Sequence, residues 1–170
     1  MKRNWMAFCL AAALMTAGTV YAKPAPSQLV PEKHGQCYVE DNLFVKDVNG
    51  AGGGQGVLHG DFAFRREQAL KTDAIKEIGW MTLKPGSYIG SHTHKDNEDA
   101  YLIISGKGIF TDGNGHAWVV GAGDMTIARP GQTHGLANLG KEDLVFLDII
   151  AKNDSADLSK MAKEGTTQYF

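Results

Sequence analysis

The stretch from His92 to Asp99, "HTHKDNED", sets two histidines two residues apart and places two acidic side chains, Glu98 and Asp99, at the head of an apolar run. Imidazole nitrogen and carboxylate oxygen are donor types that divalent transition metals accept. Residues i and i+2 of a strand share a face, so both rings can reach one point. By itself such a pair is more often an accident of a solvated strand. A third histidine, His134, stands in "RPGQTHGLAN" beside another turn. Three imidazoles and one carboxylate form a ligand set for Mn, Fe, Co, Ni, Cu or Zn and do not choose among them.

Other groups carry two readings each. Tyr101 and Ile103 share a face with Asp99 on a regular strand. Tyr101 is therefore a candidate catalytic residue, able to donate or accept a proton near a metal, or else it packs the core. His59, in "VLHGD", is either a satisfied strand histidine or a group lining the pocket. His34 and His116 are expected at the surface. Arg129 is either solvated or holds an anionic ligand.

These residues need elements to position them, and the chain reads as strands. "VLHGDFAF", "IKEIGWMTLKPG", "AYLIISGKGIFTD" and "EDLVFLDIIA" are strand segments; the third breaks at Ser105-Gly106. "HAWVVGAGDMTIARPG" gives two more, divided by Gly121-Ala122-Gly123, and "DGNG" is a hairpin signal. Trp80, Met81 and Phe146 are expected to pack a core. "NGAGGGQG" lacks the Lys-Ser/Thr end of a phosphate loop and reads as a flexible bend. "REQALKTD" is a short turn or loop, and Asn138 serves a turn. Many short strands with closely spaced turns predict an all-β sandwich or small barrel.

"GSYIGSHTHKDNEDAYLIISG" and "GDMTIARPGQTHGLAN" together resemble the paired motifs of the cupins. In the first, Gly86, His92, His94, an acid and Gly106 fall in register; in the second, Gly123, Gly131, His134 and Asn138 do. The resemblance implies a single cupin-type double-stranded β-helix, or jelly-roll, barrel over 57–151. It also implies one divalent metal at the barrel mouth, held by His92, His94, His134 and an acid. The motif's acid is usually Glu, but Asp99 occupies its position, with Glu98 one residue ahead. Neighbouring strand residues point opposite ways, so one of the two faces the metal. Spacing favours Asp99; side-chain length favours Glu98. Arg129 stands where the motif has proline.

The ends have their own readings. Lys2 and Arg3 precede an apolar stretch that closes on "VYA", a secretory signal over 1–22 cut after Ala22. The stretch is shorter than the about 20 residues that span a bilayer, so no membrane span is expected after cleavage. The destination is periplasmic or secreted. Residues 23–56 form a leader and glycine loop with one strand, and 152–170 a short helix or tail. Beyond the signal Cys37 is the only cysteine, which reads as a partly buried thiol and allows no internal disulfide. The formal charge of −2 gives no basic stripe for nucleic acid. The expected partner is a small molecule, the substrate of a metalloenzyme acting on a carboxylate or sugar acid as an isomerase, decarboxylase, lyase or dioxygenase. The alternatives are a binding module that holds a ligand through the metal, and a structural metal site that only stiffens the barrel. Gln36–Val48 is the candidate edge for a homodimer.

Overall fold

Alternation of apolar and polar side chains organises the described part of the chain, residues 38–152 of this computed structural model. The readings of 1–22 as a signal, 23–37 as a leader and 153–170 as a helix or tail fall outside the described residues. Ten strands are present among them: β1 (Phe44–Asn49), β2 (Val57–Phe64), β3 (Ile75–Leu83), β4 (Tyr88–Thr93), β5 (Glu98–Ser105), β6 (Lys107–Asp112), β7 (Ala117–Gly121), β8 (Met125–Ala128), β9 (Thr133–Ala137) and β10 (Leu144–Ala151).

They form two antiparallel sheets. One has six strands in the order β1-β2-β3-β10-β5-β8, the other four in the order β4-β9-β6-β7. This is the all-β jelly roll that the sequence implies. The last strand sits in the middle of the larger sheet, between β3 and β5. Its burial alternates over its whole length, with Leu144, Phe146, Asp148 and Ile150 buried. Phe146, Met81 and Leu83 bury completely against Ile103, Leu136 and Leu144. Each such side chain contributes about 1.5–3 kcal/mol by leaving water.

Register sorts the inward residues into layers across the larger sheet. At one end Glu77, Ile150, Asp99 and Ala128 are paired in a row. The next row is Gly79, Asp148, Tyr101 and Thr126. Below it come Met81, Phe146 and Ile103, and the opposite end closes on Leu83 and Leu144. One end of the barrel is therefore polar and the other apolar.

Three expectations change here. Trp80 is 44% exposed and does not pack the core: Met81 takes the inward position, and one residue of offset turns Trp80 outward. His134 lies within β9 rather than in a flanking turn. The expected strand in Gln36–Val48 is β1, and it pairs with β2 of its own sheet, so only its outer edge remains for a second copy.

Candidate metal centre

Two strands of the small sheet bring the histidines together. His92 on β4 is directly opposite His134 on β9. His94 follows β4 by one residue, and its backbone N–H donates to Gln132 O. A bulge between Ile89 and His92 interrupts the β4–β9 ladder. Bulges re-aim side chains. Here His92 Nδ1 lies 2.9 Å from Gly90 O, within the bulge. A carbonyl only accepts, so Nδ1 carries the His92 proton and Nε2 is a bare lone pair.

The three Nε2 atoms form a triangle: His92–His94 3.1 Å, His94–His134 3.0 Å and His134–His92 3.3 Å. Asp99, from the facing sheet, places Oδ2 3.1 Å from His94 Nε2 and 3.4 Å from His134 Nε2. One ligand atom from each of the four residues lies within 4.8 Å of the others. Asp99 and Glu98 point opposite ways: Asp99 is 3% exposed and joins the cluster, whereas Glu98 is half exposed and lies 3.9 Å from Arg129 Nε.

The donor set itself tests whether a cation fits. A neutral imidazole has one N–H, and that of His92 is on Nδ1. Whichever of His94 and His134 carries a proton on Nε2, at least one edge of the triangle sets lone pair against lone pair or N–H against N–H. No protonation of three neutral rings satisfies all three edges. Asp99 Oδ1 is also buried with no partner. Unpaired buried polar atoms are costly and call for a missing partner. A divalent cation accepts all of these lone pairs at once, so the residues fit a metal.

The electrostatics point the same way. Burial lowers the His92 pKa, and the neighbouring His134 and His94 add to it, so the ring is a neutral ligand at pH 7. Burial alone would raise the Asp99 pKa, but hydrogen bonds from His134, His94 and Asp148 outweigh it and hold Asp99 ionised. Asp148 behaves oppositely. Burial, then the negative charges of Asp99 and Glu77, push its pKa well above the carboxylate range, so it keeps its proton. Tyr101 is raised by burial and by Asp99 and Asp148 and stays a phenol. Its ring stacks on His134 at 5.0 Å and tilts against Phe146 at 4.7 Å, forming the wall behind one metal-ligating candidate.

Asp148, Thr126 and Glu77 escaped the sequence reading. Each has a buried oxygen that makes no hydrogen bond, and Arg65 Nε is a buried nitrogen that makes none either. The signal for Asp148 was available: in "LVFLDIIA" it has the parity of Phe146 and Ile150, which puts an acid on the core face. Arg65 and Arg66 lie 3.4 and 3.8 Å from Glu77 Oε2. Other candidates stay apart from the cluster. His59 is on the outer face, 2.6 Å from Asp47 and 3.4 Å from Asp61. His116 is exposed on the β6–β7 turn, 3.0 Å from Asp112.

Two clefts bear on access. The larger, about 840 Å³, lies on the outer face of the six-stranded sheet around Trp80 and Tyr38 and includes no residue of the cluster. The smaller, about 530 Å³, runs between the β6–β7 hairpin and the β8–β9 turn and has His134 in its wall. Proximity to the donors makes the smaller cleft the relevant one.

Comparison with known proteins gives the same picture. Residues 79–150 match the family model described as a cupin domain. An oxalate-binding protein of Thermotoga maritima is 40% identical over 70 residues, 41% of this chain and 57% of that protein. An oxalate decarboxylase of Bacillus subtilis is 32% identical over 83 residues, 46% of this chain but 22% of that protein. The chain thus spans about half of the first relative and a smaller part of the second. A Thermotoga maritima crystal structure described as a predicted oxalate decarboxylase superposes with a TM-score of 0.62 at 27% identity, covering 69% of this chain and 99% of that one.

Proposed function

We propose a role from one premise: the chain belongs to the cupin superfamily. It is a metal-binding cupin, and its ligand is a small dicarboxylate of the oxalate type, bound at a divalent metal held by His92, His94, Asp99 and His134. The convergence of three Nε2 atoms and one buried carboxylate oxygen carries this reading. The ligand class is supported by the two relatives whose names refer to oxalate.

When bound, such a cation supplies Lewis acidity and a place for chelating oxygen atoms. The chain's own residues do the rest. Asp99 offsets part of the metal charge, leaving a site that favours an anion. Tyr101 braces the His134 ring. Asp148, which keeps its proton and directs it at Asp99, and Thr126 flank Tyr101 in register. Thr126 Oγ1 is without a partner and is placed to hydrogen-bond ligand oxygen. The test is calorimetric titration of oxalate into manganese-loaded and metal-free protein. Saturable one-to-one binding is expected in the loaded form alone; equal binding in both would sink the proposal.

A second reading, turnover of the acid, is favoured by two groups beside the site that keep their protons, Asp148 and Tyr101. In it Tyr101 can only donate a hydrogen bond or proton, because its pKa is raised. Formate and CO2 release from oxalate by the loaded protein, lost in Asp148→Asn, is its expected mark.

We also place the protein outside the cytoplasm and as a homodimer. The signal reading of 1–22 supports the first, and no helix among the described residues is long and apolar enough to cross a membrane. The outer edge of β1 supports the second. Amino-terminal sequencing of the exported protein, expected to begin at Lys23, and light scattering test them.

A further inference from the structure

The glycine loop is no free bend. Gly50, Gly52, Gly53 and Gly56 all have positive φ, between 59° and 77°. Hydrogen bonds from Gly50 N to Gly56 O, Gly53 N to Gly50 O and Gly54 N to Ala51 O close it on itself. Gln55 and Tyr88 then exchange both backbone hydrogen bonds, at 3.1 and 2.9 Å, which docks the loop on the open edge of β4. The docking is backbone on backbone. A Cβ on Gly90 would lie 2.4 Å from Gly52 O and 2.7 Å from Gly54 N. A Cβ on Gly52 would lie 2.7 Å from Gly90 O and 2.9 Å from His92 Nδ1. Gly52 therefore sits on the hydrogen bond that sets the His92 tautomer.

We propose that Gly52 and Gly90 are positioning residues: the loop presses on the β4 bulge, holds Gly90 O against His92 Nδ1–H, and so aims a bare His92 Nε2 at the cluster. Metal affinity is then set partly by a segment that contributes no ligand. The metal readout rests on the proposed site, whereas the tautomer readout does not.

The loop contains its own control. Gly53 has a φ of 77°, as unsuited to a side chain as that of Gly52, yet a Cβ there would meet nothing within 4 Å. Gly52→Ala and Gly53→Ala share the backbone strain, and only the first touches His92. Long-range nitrogen–proton NMR of the metal-free protein is expected to show His92 as the Nδ1–H tautomer in the wild type and Gly53→Ala, and mixed or reversed in Gly52→Ala. Cobalt affinity by chelator competition should fall about 10-fold or more in Gly52→Ala and stay near the wild-type value in Gly53→Ala. An unchanged tautomer in Gly52→Ala, or equal cobalt losses in the two variants, overturns the inference. Tautomer changes as expected in a wild type that binds no cobalt would uphold the positioning role and overturn the metal site. Should Gly52→Ala fail to fold, because its methyl group also strikes Gly90 O, Gln55→Pro carries the same two readouts: it deletes the N–H that docks the loop on Tyr88 O and leaves His92 untouched. A mixed tautomer with weakened cobalt binding is expected there, and an unchanged tautomer and affinity overturn the inference.

Discussion

The two ends of the barrel bury polar groups by opposite rules. At the apolar end Asn138 is fully buried and fully satisfied. Its Nδ2 donates to Leu83 O and Glu142 O, both at 2.8 Å, and its Oδ1 accepts from Gly140 N at 2.9 Å. At the mouth, Asp99 Oδ1, Asp148 Oδ1, Thr126 Oγ1 and His134 Nδ1 are buried without partners. Each unsatisfied group costs about 1–3 kcal/mol. A satisfied buried amide is structure; a group of unsatisfied ones around crowded imidazoles is a place prepared for something else. That difference locates the ligand end more surely than cleft size, since the larger of the two clefts is on the outer face.

The strongest way to break the contrast is to remove a donor at the mouth. His134→Ala should weaken divalent metal binding by more than about 100-fold and abolish the metal-induced rise in stability, which is about 2.7 kcal/mol when free metal is at 100 times Kd. Equilibrium dialysis with elemental analysis, and thermal melts with and without metal, measure both. Asn138→Ala should do the reverse. It leaves two carbonyls and one N–H unpaired and should cost about 2–3 kcal/mol in denaturant unfolding, with metal affinity kept. Metal loss in Asn138→Ala, or none in His134→Ala, would mean that the two ends do not divide the labour.

Asp148 sharpens the contrast through pH. Its folded-state pKa is raised, so in the metal-free protein the native state holds a proton that the unfolded state has lost. Stability from this group is therefore full at low pH and declines as pH rises above the ordinary carboxylate range. His92 has the opposite sign. Its folded pKa is lowered, so the unfolded state binds more protons below about pH 6.5, and stability falls as pH drops through that region. Asp148→Asn removes the first effect alone. Metal-free Asp148→Asn should melt higher than the wild type at pH 7.5, with the difference shrinking toward pH 4. A difference independent of pH would place the buried proton elsewhere.

The smallest effect belongs to the rim. Arg129 and Glu98 face outward, 3.9 Å apart, and their side chains are 59% and 46% exposed. Arg129→Ala should change stability by no more than about 0.5 kcal/mol and leave metal affinity unchanged. A large loss of metal there would restore Glu98 as the acid facing the cation.

Much of this was legible along the chain, residue by residue. The turns and alternation of "AYLIISGKGIFTD" mark β5 and β6, and the i, i+2 rule puts Tyr101 on the face of Asp99. The same rule, applied to "LVFLDIIA", would have turned Asp148 inward, and applied to Met81 would have turned Trp80 outward. An apolar strand is not uniformly core, because the pleat sends each successive side chain to the opposite face.

Composition and period-two alternation, which depend only on neighbouring residues, determined an all-β chain and put His92 with His94, and Asp99 with Tyr101, on shared strand faces. That three histidines and an acid come together was implied by the resemblance of the paired motifs. Strand pairing decided the rest. His92 meets His134 only because β4 and β9 pair in that register across 42 residues of sequence. The His92 ring turns its bare nitrogen inward only because a bulge and a glycine loop from a distant segment meet at Gly90. Local pattern fixes which way a side chain points from its own strand; which atoms then converge depends on how far each strand slides along its neighbour, and that is set by the packing of the whole barrel.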